Sequence, residues 1–251
     1  MPETLPTPEP FRAHLLIGSY NEPNLERVGE FRECLRRNCQ LEQIVKVHRF
    51  LEDENVLGFN HPKVEAVPFG KRLQFADLFE YANRVLSGQP CIIANSDIFF
   101  DETLDELAGY ILQGKLLCVS RLDVQLDGTK VPCHFAWTQD VWIFLPPLPV
   151  MVGNFYLGRP GCENRVAYEA SQVGLQTINP CQTIHCNHLH LSEVRNWNMN
   201  QREPGPSLDV PCQTLRGEPP TKRVPLGRDA GSRGFPSFPH LSTKGGKWFT
   251  P

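Results

Sequence analysis

The first half of the chain alternates between short apolar runs and segments with helical spacing. The predicted strands cover residues 14–20, 43–50, 91–94 and 116–120. The predicted helices cover residues 25–35, 71–86 and 103–114, where apolar side chains recur every three or four positions or a capping box opens the segment. Strands that alternate with helices are typical of an α/β domain with a mostly parallel central sheet.

The second half of the chain follows this alternation less regularly. A strand at 141–144 and a helix at 163–173 are still predicted, and the segment 176–192 alternates weakly. From 203 onward the chain is rich in proline and glycine and has no periodicity, which is typical of disorder. We therefore expect three parts: a flexible lead at 1–12, a single Rossmann-like domain at 13–198 and a disordered tail at 199–251.

Composition excludes some functions and favours others. The chain has 251 residues and a formal net charge of -3, so it lacks the broad positive charge that holds nucleic acid, and we expect no nucleic-acid partner. Its 9 cysteines follow no repeating framework and several lie in apolar runs, which indicates reduced thiols. We recognise no signal peptide, no transmembrane segment and no Asn-x-Ser/Thr acceptor, a combination that favours a cytoplasmic protein.

The most informative motif is Asn95-Ser96-Asp97, which follows the apolar strand at 91–94. Two short oxygen-bearing side chains on alternate residues at a strand end can hold Mg²⁺ or Mn²⁺, and Asp97 can bridge such a cation to a diphosphate. The same side chains can instead cap the turn that leads to the helix near Thr103. The residue pattern leaves both interpretations open.

The order of these features resembles the GT-A fold of nucleotide-sugar glycosyltransferases. Residues 18–23, Gly-Ser-Tyr-Asn-Glu-Pro, follow the first strand, an arginine-rich helix comes next, and Asn95-Ser96-Asp97 follows a later strand. The resemblance covers residues 13–198 and implies a GT-A-like domain in which 95–97 is the equivalent of the metal-ligating DxD motif, with asparagine in place of the first carboxylate. It also implies that donor-binding residues lie at these strand ends: Ser19, Asn21, Glu22, Asn95 and Ser96.

The same family often has an acidic motif at the start of a later helix and, further on, a histidine that completes the metal shell. His185, His188 and His190 follow the helix predicted at 163–173. The resemblance therefore implies that Asp97 is a metal ligand and that His188 or His190 is a further ligand.

The general base is less clearly marked. Glu163 stands at the start of the predicted helix, but Asn164 then occupies the place of the family's acid, so the implied base is Glu163 or, second, Asp140. Both carboxylates also have a structural interpretation. The helix dipole stabilises Glu163 whether or not it takes part in chemistry, and Asp140 can close a turn before a buried strand.

Two further charged pairs are candidate phosphate-binding or acceptor-binding groups. Arg121 and Asp123 follow the strand at 116–120 and can bind diphosphate or acceptor, or can pair with each other. Lys71 and Arg72, at the start of a predicted helix, can offer positive charge to a phosphate or remain solvated. We assign Arg72 and Arg121 to donor binding.

Cysteines and histidines between 181 and 190 raise the hypothesis of a structural zinc site. Their spacing differs from the usual zinc-finger pattern, and on a strand His188 and His190 share a face with Cys186 whereas His185 does not. We therefore favour a histidine that completes a catalytic metal shell over a structural zinc, with ordinary strand histidines as the remaining alternative.

The sequence thus favours a metal-dependent glycosyltransferase that uses Mn²⁺ or Mg²⁺ and moves a sugar, with inversion, from a nucleotide-sugar donor to a glycan or other hydroxyl acceptor. Two alternatives stay open. A nucleotidyltransferase normally has a glycine-rich, basic loop after its first strand, where this chain has residues 18–23. A non-catalytic module that binds glycan or nucleotide would have kept the scaffold and lost the chemistry, which would suit asparagine at 95 and 164.

Overall fold

A seven-stranded sheet forms the centre of the domain in a computed structural model, which describes residues 9–54, 58–133, 135–195 and 199–217. The spatial order is β10 (Gln176–Ile178), β6 (Lys115–Ser120), β9 (Gln139–Phe144), β4 (Cys91–Ala94), β1 (Ala13–Ser19), β2 (Ile44–Leu51) and β3 (Val64–Pro68). Neighbouring strands run parallel, except that β9 is antiparallel to both β4 and β6. The predicted α/β, Rossmann-like architecture with a mostly parallel sheet is confirmed.

The direction of β9 determines which residues meet at the functional edge of the sheet. Parallel strands bring their carboxyl ends to one edge, and an antiparallel strand brings its first residues to the same edge. Gln139 and Asp140, which begin β9, therefore lie beside the ends of β4 and β6. The backbone confirms this, since the amide of Asn95 donates a hydrogen bond to the carbonyl of Asp140 at 3.3 Å.

The α-helices of the described residues are α1 (Leu25–Gln40), α2 (Phe75–Val85) and α3 (Cys162–Gln172). The predicted cap of α1 is confirmed, because the Asn24 side chain accepts a hydrogen bond from the amide of Arg27 at 2.9 Å. Short 3-10 helices occur at Glu102–Leu107 and Met199–Gln201. The helix predicted at 103–114 is therefore wrong in length, because Gly109 adopts a positive φ of 71° that stops the helical backbone.

Both faces of the central sheet are buried. Alternate residues of β1 and β4 point to opposite faces, so that Leu15 and Ile92 pack with α1 whereas Leu16 and Ile93 pack with α2 and α3. Phe75 of α2 meets Trp142 of β9 with ring centroids 4.8 Å apart. This two-sided burial explains why the central strands are apolar at consecutive positions rather than at alternate positions.

A second, smaller sheet covers the end of α1. Its strands, in spatial order, are β5 (Ile98–Phe99), β11 (Asn187–His188), β7 (Leu122–Val124) and β8 (Lys130–Pro132). Strand β11 pairs antiparallel with β5 and parallel with β7, so it lies between segments that are far apart in the sequence. The weakly alternating segment at 176–192 thus supplies β10 at the edge of the large sheet and β11 inside the small sheet.

The predicted boundary at 198 is wrong for residues 199–217, which pack on the domain. Val210 is buried, and the amides of Leu208 and Gln213 donate to the carbonyls of Asn164 and Asn179 at 3.0 and 2.9 Å. Backbone hydrogen bonds to the domain hold this proline-containing segment, and such contacts leave no periodic sequence pattern. At the other end, Phe11 of the predicted lead is buried in the core. Residues 1–8 and 218–251 of the predicted lead and tail lie outside the described residues.

No helix in the described part of the chain combines the length and the apolar character needed to cross a membrane. All nine cysteines are free thiols, as the sequence predicts.

Candidate functional site

Asp97 lies in the turn between β4 and β5 and is buried, with 7% of its surface exposed. Its Oδ2 accepts hydrogen bonds from the Arg27 guanidinium of α1 and from Nε2 of His188 in β11, the latter at 3.0 Å. Its backbone carbonyl accepts the amide of Leu189 at 2.9 Å. The aspartate is therefore enclosed by α1 and by the late histidine segment rather than exposed on the turn.

Asp97 belongs to a continuous chain of alternating charges, here called the charged cluster. Its members, in order of contact, are Glu30, Arg27, Asp97, His188, Asp123, Arg121 and Asp140. Nδ1 of His188 lies 2.8 Å from Asp123, and Arg121 reaches Asp123 at 2.8 Å and Asp140 at 2.9 Å. The cluster connects α1 with the small sheet and with the first residues of β9.

The partners of His188 determine its charge. Burial alone would lower the pKa of this imidazole, but the negative charge of Asp97 and hydrogen bonds to Asp123 and Asp97 raise the pKa to about 9. Burial alone would likewise raise the pKa of the Asp97 carboxyl, but His188 and Arg27 hold that pKa well below its usual range. Asp97 is thus a carboxylate, and His188 carries a positive charge when no cation replaces its proton.

The best candidate metal site is formed by Asp97, His188 and His190, whose ligand atoms all lie within 4.8 Å of one another. Oδ1 of Asp97 is buried and has no hydrogen-bond partner, so it is the oxygen left for a cation. Nε2 of His190 faces the carbonyl of Val194 at 2.8 Å, and burial with the nearby Arg27 lowers the pKa of His190 to about 4. This neutral imidazole keeps a lone pair on Nδ1, so the donor set fits a divalent cation.

The alternative of a structural zinc at 181–190 receives no support from the described residues. Neither Cys181 nor Cys186 belongs to a group of three possible ligands there. Nδ1 of His185 instead faces Asp101 at 3.3 Å.

Glu163 stands in the first turn of α3 and is half-buried. The helix begins at Gly161, whose φ of 83° lies in the left-handed region that favours glycine. Burial and the negative charge of Asp140 raise the pKa of Glu163 to about 8, against a smaller opposing effect of Arg121. Glu163 is therefore close enough to Asp140 of the charged cluster for their charges to interact. Its carboxyl group titrates at a pH of about 8.

A cleft that is partly open to solvent, here called the β1 cleft, lies at the carboxyl ends of β1 and β2. Four of the predicted donor-binding residues line it: Ser19, Asn21, Glu22 and Ser96. Arg49 also lines it and donates a hydrogen bond from Nε to Oγ of Ser19 at 2.9 Å. Burial and the neighbouring Arg32 lower the pKa of Arg49, as expected where two cations face one cavity.

The remaining predicted donor-binding residues lie outside this cleft. Asn95 donates from Nδ2 to Asp140 at 2.8 Å, and Arg121 is held between Asp123 and Asp140. Arg72 is exposed and lies over the ring of Tyr156, 5.1 Å from its centroid. Asn95 and Arg121 thus support the charged cluster, and the structure does not bring Arg72 to the β1 cleft.

Three arginines of the site, Arg27, Arg32 and Arg49, are not identified by the sequence pattern. Arg27 is buried in the first turn of α1, and the sequence of this arginine-rich helix does not show which of its arginines is buried. Arg49 is a cation near the carboxyl end of a strand, an edge at which α/β sheets bind ligands. That position would have been a usable signal.

Comparisons with known proteins add a distant similarity. No protein-family model and no curated protein matches the sequence. Among solved structures, the chain is similar to a mannosyltransferase from Pyrobaculum calidifontis in complex with GDP-Man and Mn²⁺, with a TM-score of 0.49 and 14% identity over 77% of this chain and 62% of that chain. It is also similar to HddC from Yersinia pseudotuberculosis, with a TM-score of 0.30 and 12% identity over 53% of this chain and 76% of that chain.

The chain spans less than two thirds of the mannosyltransferase. Neither similarity is strong enough to assign a substrate or a reaction to this chain.

Proposed function

We propose that this protein is a metal-dependent glycosyltransferase that moves a sugar from a nucleotide-sugar donor to a hydroxyl acceptor with inversion. One observation carries the proposal. Asp97 follows a central strand at the carboxyl edge of the sheet, keeps one buried oxygen without a partner, and lies with His188 and His190 in a set of possible metal ligands. The adjacent residue, Ser96, lines the β1 cleft.

Asp97, His188 and His190 would hold the cation. When bound there, a divalent cation would neutralise negative charge that grows on a departing nucleoside diphosphate. One carboxylate oxygen and two imidazole nitrogens favour Mn²⁺ over Mg²⁺, because Mg²⁺ prefers oxygen ligands. Asp123 would hold the ring of His188 through Nδ1 and so direct Nε2 toward Asp97.

The β1 cleft would bind the nucleotide part of the donor. Arg49 and Arg32 supply positive charge, and the polar groups of Ser19, Asn21 and Glu22 suit ribose hydroxyls or base edges. Tyr20 and Phe31, whose rings meet edge to face at 5.8 Å, supply apolar surface in the same cleft. Cation, ribose and base contacts would together orient the anomeric carbon toward the charged cluster.

Glu163 would act as the general base. Its carboxylate would accept the proton of the acceptor hydroxyl while that oxygen attacks the anomeric carbon and the diphosphate leaves from the opposite face. A base whose pKa lies near the working pH is effective because a sufficient fraction of it is deprotonated and that form still binds a proton strongly. Asp140, the second candidate, is held by Arg121 and Asn95, so we assign it the role of raising the pKa of Glu163.

The alternative of a non-catalytic binding module has one observation in its favour. Arg27 and His188 already neutralise the Asp97 carboxylate, so the charged cluster is complete without a metal ion. Such a module would bind its ligand equally well with and without Mn²⁺. Metal dependence is therefore the property to measure first.

The experiment is a thermal-shift screen of UDP-, GDP- and CMP-sugars, and of nucleoside triphosphates, with and without Mn²⁺. A donor at 100 times its Kd stabilises the protein by about 2.7 kcal/mol, and we expect this only with Mn²⁺ present. Asp97→Asn should remove the Mn²⁺-dependent shift. Asp101→Asn, in the same segment but bonded to Thr103 and Lys130, is the matched control and should keep it.

The outcomes separate the candidates. A full Mn²⁺-dependent shift in Asp97→Asn would contradict the metal assignment, and metal-independent binding without turnover would favour the module. Slow release of free sugar from a nucleotide-sugar supports the transferase. Pyrophosphate release from a nucleoside triphosphate would favour a nucleotidyltransferase.

A further inference from the structure

Two aromatic side chains lie exposed on the connection between β8 and β9. The rings of Phe135 and Trp137 stack with centroids 5.1 Å apart and planes inclined by 16°. Phe135 is 39% exposed and Trp137 is 50% exposed, although side chains of this size usually bury most of their surface. An exposed pair of aromatic rings marks an interaction surface more often than a lone exposed residue does.

The backbone beneath this pair is tied to the domain on two sides. Oγ of Ser120 donates to the carbonyl of Phe135 at 3.1 Å, and the amide of Val210 donates to the carbonyl of Ala136 at 2.9 Å. The side chain of Gln139 donates to the same carbonyl of Ala136 at 2.7 Å. The two rings therefore stand on an anchored platform, so their exposure reflects a fixed conformation of the backbone.

The platform adjoins the charged cluster. Ser120 directly precedes Arg121, and the amide of Cys133 donates to the carbonyl of Arg121 at 3.0 Å. Trp137 lies three residues before Asp140, the second residue of β9, at the functional edge of the sheet. The side chain of Asp123, a member of the charged cluster, is 27% exposed and can accept further hydrogen bonds. The connection that carries the two rings is thus bonded to Arg121 of the charged cluster through Cys133 and leads directly to Asp140 of the same cluster.

We propose that Phe135 and Trp137 form the binding platform for a pyranose ring. A pyranose has an apolar face of C–H groups and a rim of hydroxyls, so it suits exposed aromatic rings on a connection that is bonded to the charged cluster. The negative face of the indole attracts the slightly positive C–H groups, and Asp123 accepts a hydroxyl from the rim. The role of this platform in turnover rests on the proposed function. In that reaction, the sugar bound at the platform would be the acceptor.

A membrane surface is the competing occupant, because Leu126 and Val131 on the preceding hairpin are also exposed. The observations favour the sugar. The chain has a net charge of -3, which disfavours an anionic lipid surface, and the rings stack on each other rather than pointing outward separately.

The test measures sugar binding without any donor, so that its result is independent of the proposed function. Saturation-transfer NMR is recorded on the full chain with methyl glucopyranosides, galactopyranosides and mannopyranosides, with and without UDP or GDP and Mn²⁺. We expect transfer to the C–H protons of one sugar face in the wild type. Trp137→Ala should lower the affinity roughly tenfold, Trp137→Phe should restore most of it, and Val150→Ala, an exposed aliphatic variant outside the platform, should change nothing.

The proposal is overturned if no pyranoside receives saturation in any condition, or if Trp137→Ala retains full transfer. It is also overturned if the wild type binds phosphatidylcholine vesicles through Trp137 and no sugar. A wild type that binds pyranosides but never a nucleotide-sugar would leave the platform standing and contradict the proposed transferase.

Discussion

Two buried histidines, His48 and His188, have pKa values that are shifted in opposite directions. Burial and the neighbouring His14 lower the pKa of His48 to about 4, whereas the carboxylates around His188 raise its pKa to about 9. His48 lies on the α2 face of the sheet, where Nε2 faces Nδ1 of His14 at 2.9 Å and Nδ1 faces the hydroxyl of Tyr81 at 3.0 Å. We call the set His14, His48, Tyr81 and Gln89 the histidine cluster.

The comparison shows that burial keeps an imidazole neutral unless carboxylate partners offset it. The histidine cluster satisfies its polar atoms with neutral groups, so it needs no ion and can stand within the body of the sheet. The charged cluster holds full charges that only opposite charges can stabilise, and it lies at the sheet edge next to a cleft. We therefore assign chemistry to the charged cluster and structural support to the histidine cluster.

The strongest test of this division compares Glu163→Gln, at the Asp140 end of the charged cluster, with Tyr81→Phe in the histidine cluster. Loss of a general base should lower kcat by about 10²–10⁴ with donor affinity unchanged, while Tyr81→Phe should leave kcat within about twofold. Because the carboxyl must be deprotonated to act, wild-type kcat should rise tenfold per pH unit below about 8 and level off above it. Initial rates across pH measure both, and a fully active Glu163→Gln would remove Glu163 from the mechanism.

A smaller effect is expected from Asp123→Asn, which weakens the group that holds His188 in place. Loss of such an outer partner lowers metal affinity by about 10–100-fold, and we expect Mn²⁺ binding to weaken toward the lower end of that range. Glu65→Gln is the matched variant, since Glu65 lies 4.0 Å from His48. Calorimetric titration with Mn²⁺ distinguishes the two. Equal Mn²⁺ affinity in both variants would contradict the assignment of His188 as a ligand.

The last test concerns stability in acid rather than turnover or metal binding. His48 binds a proton more readily when unfolded, because its pKa falls from 6.5 to about 4 on folding. Stability should therefore decrease as the pH is lowered from 6.5 toward 4, by about 3 kcal/mol from this group. His48→Gln should flatten that part of the curve, whereas His61→Gln, in the connection between β2 and β3, should leave it unchanged. Urea unfolding at several pH values measures the difference, and parallel curves would contradict this account.

Local sequence signals predicted several elements of the fold well. The apolar run at 91–94 and the spacing from Phe75 to Val85 correspond to β4 and α2, because regular periodicity reflects burial against a sheet. The cap at Asn24 was also readable, because capping depends on a side chain and an amide only three residues apart. Strand β3 was missed, since most of its residues are partly or fully exposed and it lies at the sheet edge.

The candidate site was predicted only in part. Asp97, Glu163 and His188 were identified from strand ends, a helix start and motif order. The enclosure of Asp97 by Arg27 was not predictable, because α1 and the turn at 95–97 are 70 residues apart at this contact. The small sheet was equally hidden, because strands of two or three residues are too short to show a period.

By itself, the sequence determined the long buried strands, the three α-helices and the places where short polar side chains follow apolar runs, since these depend on neighbours within a few residues. Only the tertiary structure decided which charges meet, that β9 runs against its neighbours, and that residues 199–217 pack on the domain. The physical reason is range. Backbone periodicity is a local property, whereas the charge on His188 depends on Asp97 and Asp123, which lie 91 and 65 residues away along the chain.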